Sequence, residues 1–166
     1  MSTPKRVVCL AALLAIVAGI AFVLWWKHGE PRRESLRALQ NLCDALTVNE
    51  PGAILDLIIL PDPLKIRTSH EQFEFVQKAL RDEISPHGIR VLCRNGTFGP
   101  LSEMFPEHAQ QWATQAGVRV EQCVAFRANR AGITAEAVLF KLDGSPGGRH
   151  YRVIRCNNIK QLSEEG

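Results

Sequence analysis

No two of the five histidines, His28, His70, His87, His108 and His150, fall within five residues of one another. Cys43, Cys93, Cys123 and Cys156 are spaced 50, 30 and 33 residues apart. Neither set forms a metal or redox motif, and a zinc site would need ligands gathered from distant segments. No metal and no cofactor is therefore expected. Charge excess is missing too: taking Lys5 and Arg6 from 20 basic residues leaves 18 against 17 acidic ones. A nucleic-acid binder carries a clustered basic excess, so no nucleic-acid partner is expected. The basic stretch Arg149, His150, Arg152, Arg155 and Lys160 would be split between the two faces of an alternating strand. Cys156 and His150 could not act as a nucleophile pair, because six residues of extended chain put them ~20 Å apart. Internal repeats and low-complexity segments are also absent.

What is present is a run without charge, amide, hydroxyl or proline from Val7 to Trp26, twenty residues long. As a helix it extends ~30 Å, the thickness of a bilayer's hydrocarbon core, with its backbone groups satisfied internally. Lys5 and Arg6 precede it, Lys27, Arg32 and Arg33 follow it, and Trp25 and Trp26 occupy the far boundary, where indole rings favour the headgroup region. The expected organisation is a tail at 1–6, a transmembrane anchor at 7–26, a linker at 27–33, a domain at 34–162 and a tail at 163–166. A cleavable signal peptide is the competing reading, with Gly19-Ile20-Ala21 as its site. Cutting there would leave Phe22 to Trp26 as an apolar mature terminus, which favours a retained single-pass signal-anchor. The flanking charges do not settle orientation. The short polar N-terminus favours a domain outside the cytoplasm, where an envelope protein is a possible partner.

The domain reads as α+β. Leu36, Leu39, Leu42, Cys43 and Leu46 share one face of a helix over 34–46. Asn49-Glu50-Pro51 opens a second helix to Ile59, which Pro61-Asp62-Pro63 ends. Thr68 with Glu71 and Ser69 with Gln72 overlay two capping boxes, predicting a third helix with Phe73, Val76, Leu80 and Ile84 inward, closed by Ser85-Pro86-His87-Gly88. Ile89 to Arg94 and Thr97 to Gly99 then read as strands around an Asn95-Gly96 hairpin turn. A short helix over Pro106 to Ala116, capped by Gly117, precedes strands at Val118–Arg127, Ile133–Leu142 and Arg149–Cys156. The turn-rich segments between these strands are short enough to make antiparallel neighbours. The even number of domain cysteines permits two disulfides, although each lies in an apolar stretch and suits burial as a small hydrophobe.

Helices first, one of them strongly capped, then a meander of antiparallel strands, resembles the cone-shaped α+β domains of the nuclear-transport-factor-like superfamily over residues 34–162. The break at Leu46-Thr47-Val48-Asn49-Glu50-Pro51 and the loop into the helix near Ser69 carry the likeness. The resemblance implies helices packed on a curved antiparallel sheet around a pocket, used as an active site or a docking surface. Some single-span subunits of bacterial secretion machines look similar in plan.

No catalytic motif is found. The carboxylate best placed for acid or base work is Asp56, between Leu55 and Leu57 in a mostly apolar helix. Pointing inward it would lose solvent and gain proton affinity; pointing outward it marks the wet face of that helix. The expected function is a membrane-anchored, non-enzymatic domain that binds a protein partner or small ligand through its sheet or cone opening. The alternative is a small-molecule enzyme or ligand carrier using a cone pocket.

Overall fold

The computed structural model describes residues 3–143 and 151–163, with the backbone alone for 3–13, 22, 24–28 and 163. Two compact units divide the chain at Arg33 and Glu34. The first is helical, part of α1 (Thr3–Val48), which continues through Pro31, so the expected linker at 27–33 has helical backbone. Its described large apolar side chains are more than half exposed: Leu14 61%, Ile16 62%, Val17 54%, Ile20 56% and Val23 53%. Among the described residues no helix is long and apolar enough to cross a membrane. The side chains of much of 7–26, on which the anchor reading rests, lie outside the described set.

The second unit begins where α1 acquires a buried face of Leu36, Leu39, Leu42 and Cys43 at helical spacing. The helix runs two residues beyond the expected Leu46, to Val48. Asn49 takes a left-handed φ of 63°, and the Glu50 N–H reaches back to the Ala45 carbonyl at 3.2 Å, a six-to-one closure that satisfies a terminal carbonyl. α2 (Pro51–Leu57) stops two residues short of expectation. Ile58 turns extended to bridge Val153 in parallel, and the Ile59 N–H donates to the Val153 carbonyl at 2.9 Å. That contact covers an open sheet edge. After a short α3 (Asp62–Lys65), α4 (Ser69–Arg81) starts on the predicted box: Thr68 and Glu71 each accept from the other's backbone N–H.

One expectation is corrected outright. Ile89 to Arg94 is not a strand and Asn95-Gly96 is not a hairpin turn; both belong to α5 (Pro86–Asn95) or its cap. Ser85-Pro86-His87-Gly88, expected to end the helix before, starts this one instead; α4 already stops at Arg81. The Ser85 hydroxyl accepts from the Gly88 N–H at 3.0 Å, Pro86 fills the first turn, and Gly96 closes onto the Leu92 carbonyl at 2.8 Å. Ile89 and Leu92 fall one turn apart and are buried.

β1 (Thr97–Pro100), β2 (Cys123–Arg130), β3 (Ile133–Lys141) and β4 (Tyr151–Asn157) form one antiparallel sheet in sequence order. The β2–β3 hairpin turns on Ala131 and Gly132, both at positive φ, the backbone that suits a two-residue loop. Between β1 and β2 lie α6 (Leu101–Met104), α7 (Ala109–Ala116) and a 3-10 turn at Val120–Gln122, which shortens the strand expected from Val118. α7 starts later than predicted but ends as predicted, on left-handed Gly117 at φ 68°. Arg149 and His150, placed at the start of the last strand by sequence, lie outside the described residues.

Each sheet face carries its own core. The larger one sets Phe126, Ala137, Leu139 and Val153 against α1, α2, α4 and α5. On the opposite face, Cys123, Ala125 and Val138 are covered by Leu101, Phe105, Ala109 and Ala113 of the α6–α7 segment. Phe126, fully buried, contributes about 1.5–3 kcal/mol of apolar burial. None of Cys43, Cys93, Cys123 and Cys156 is in a disulfide; all but Cys93 are buried.

Candidate functional site

The α6–α7 segment leaves part of its sheet face uncovered. Beyond Phe105 the face turns polar, with Arg127 on β2, Thr134 and Glu136 on β3, and Arg155 and Asn157 on β4. Met104, Phe105, Pro106, Glu107, His108 and Trp112 form the facing wall of a groove of ≈ 580 Å³. That volume lies within the range of small-ligand sites.

A bulge builds the floor. Leu139 pairs with Val153, but Val138 pairs with Arg155, so Ile154 is an extra residue in β4. Phe140 pairs with Arg152, and Phe140 and Val138 share a face, so Arg152 and Arg155 share it too. Simple alternation would have put them on opposite faces, as the sequence reading expected. With Arg127, opposite Glu136, this side of the sheet carries three guanidiniums and one carboxylate.

The side chains are held from several directions. Glu136 is 7% exposed and accepts from Arg155 Nε at 2.7 Å. The Arg155 guanidinium lies over Trp112, 4.9 Å from the ring centre, and Arg127 lies over Phe105 at 5.5 Å. Trp112 also packs against Phe105 at a 54° tilt, their centres 5.3 Å apart, and His108 stacks on it at 5.1 Å with an 18° tilt. Rings and guanidiniums therefore fix one another, and side-chain entropy is already lost before a ligand arrives. Thr134 donates to Asn129 Oδ1 at 2.9 Å.

Asp56, the carboxylate singled out from the sequence, is exposed on α2, on the side away from buried Ile54 and Leu57, and does not line this groove. His70 is exposed and sits 3.3 Å from Glu74, one turn along α4. His87 is exposed in the first turn of α5. Only His108 of the described histidines reaches the groove. Glu136 had a legible signal, a lone carboxylate inside the apolar run Ala135 to Phe140. Arg155 had none, since its direction depends on the bulge. Among the described residues, no three His, Cys, Asp or Glu side chains gather as a metal site requires.

A smaller groove of ≈ 90 Å³ between the segment after α2 and α4 is mainly apolar, with Phe75 half exposed at its rim. No family model, curated protein or solved structure matches the chain.

Proposed function

We propose that the chain is a membrane-anchored binding module whose groove over the polar half of the sheet holds a small ligand or a ligand-sized segment of a partner. One observation carries the binding reading: a ligand-sized groove with an aromatic wall and a charged floor whose side chains are already pinned to one another. Among the described residues that line it, none pairs a nucleophile with a base, which favours binding over catalysis. The uncharged run at 7–26, together with the exposure of Leu14, Ile16, Val17, Ile20 and Val23, supports anchorage. The short polar N-terminus supports a domain outside the cytoplasm, among envelope proteins. Helices packed on an antiparallel sheet and a sheet-lined groove are compatible with the cone plan of nuclear-transport-factor-like domains.

The test is a fragment screen against the full chain in non-ionic maltoside micelles, read on the Trp112 indole resonance and assigned with Trp112→Phe. Bound fragments are expected to shift that resonance. Hits that perturb only the apolar groove beside Phe75, or no hits at all, would remove the reading.

A further inference from the structure

Resting on that reading of the groove, we infer that its ligand is recognised through an oxyanion, a carboxylate or a phosphate, held between Arg127 and Arg155. Arg127 is exposed and, among the described residues, makes no ion pair. Its direct cross-strand neighbour is Glu136, yet that carboxylate is committed to Arg155 Nε. The Phe105 ring lies 5.5 Å from the Arg127 guanidinium carbon, a contact that holds the cation by its face and leaves its N–H groups for an acceptor. Arg155 spends Nε on Glu136 and has its guanidinium carbon 4.9 Å from the Trp112 ring centre, so its two terminal nitrogens remain a planar fork beside the groove. β2 and β4 are two strand spacings apart and Arg155 is two residues out of line with Arg127, which faces Glu136 and then Asn157, so about 12 Å separates the two backbone positions, a gap that two long arginine side chains can close around one anion. Arg152 adds a positive charge to the same sheet face outside the groove lining; within the groove the carboxylates are Glu107 on the facing wall and Glu136 on the floor, the latter already bonded to Arg155. Asn157 contributes a neutral side-chain amide beside this position. The apolar wall of Met104, Phe105 and Pro106 takes whatever the anion is attached to.

The experiment compares benzoate, phenyl phosphate and the uncharged benzamide, titrated into the full chain in maltoside micelles and followed on the Trp112 indole signal. At least one of the two anions is expected to bind roughly tenfold more tightly than benzamide, the value of one charge-assisted pair. Which anion wins distinguishes carboxylate from phosphate. Arg127→Gln should lose about that factor for the anion and nothing for benzamide, and Arg127→Lys should recover only part of it. Arg119→Gln, which removes an exposed arginine paired with Asp143 outside the groove, should change neither. Equal binding of benzamide with no effect of Arg127→Gln overturns the oxyanion while leaving the groove as a binding site. No response to any of the three also overturns it, and the fragment screen then decides separately whether the groove binds anything.

Discussion

Arg155 makes the burial of Glu136 tolerable. A carboxylate with a side chain only 10% exposed needs a donor, and the Nε contact at 2.7 Å supplies a charge-assisted one. Arg155 itself is 44% exposed, so the two partners do not lose equally when the pair is broken. Arg155→Leu is expected to cost about 2 kcal/mol in a urea titration, because Glu136 stays in place without its main donor. Glu136→Gln is expected to cost about half of that, since the amide oxygen still accepts from Nε and Arg155 keeps water. Equal costs would mean that the pair is not the source of either.

The buried thiols give a second expectation at this scale. Burial, helped by Glu83, pushes Cys156 up to about 12, and burial, helped by Glu121, pushes Cys123 up to about 11. An unfolded thiol titrates near 9, so the unfolded chain loses these protons first. The stability involved is fully present below pH 9 and is lost as the pH rises toward 11 and then 12. Urea midpoints should fall between pH 8 and 10.5, and Cys156→Ala should flatten that fall whatever it does to the midpoint at pH 8.

At the scale of elements, the start of α5 is the joint between the helical layer and the end of the sheet. Glu83 accepts from the Asn158 N–H at 2.6 Å through its side chain and from the Lys160 N–H at 2.9 Å through its carbonyl. These bonds bring the turn after β4 onto Gly88, where an added Cβ would stand 2.0 Å from the Ile159 carbonyl oxygen. In an isolated helix, alanine for glycine stabilises by about 1 kcal/mol. Here Gly88→Ala should destabilise by about 1–3 kcal/mol, because backbone rather than a flexible side chain has to give way. Gly52→Ala in α2, where a Cβ meets nothing within 4 Å, is the matched control and should be neutral or mildly stabilising. A stabilising Gly88→Ala would show that the joint is looser than this contact.

For the whole molecule, the exposed Cys93 gives a direct test of topology. Cys43, Cys123 and Cys156 are buried, so a membrane-impermeant maleimide applied to sealed cells should modify Cys93 if the domain lies outside the cytoplasm. Cys93→Ser should abolish that labelling, and labelling that appears only after lysis would reverse the orientation. Because the buried face of α1 begins at Ser35 and Leu36, a chain starting at Pro31 should unfold cooperatively without detergent. Local chemistry made much of this architecture legible from the sequence: the Thr68–Glu71 box, the break at Asn49, the Gly117 cap, the Ala131–Gly132 turn and the 3.6-residue stripe of α1 each depend on residues a few positions apart. The uncharged run at 7–26 was equally plain as composition. Ile89 to Arg94 was not, because so short an apolar run fits a helix or a strand, and the Ser85–Pro86 cap and the packing of Gly88 on Ile159 chose the helix. Ile58 and Ile59 left their helix for a partner nearly a hundred residues away, at Val153. The groove was decided in the same way: an extra residue at Ile154, defined only by pairing with β3, turned Arg155 onto the face of Glu136, and a direction set by a distant strand has no local signature for the sequence to carry.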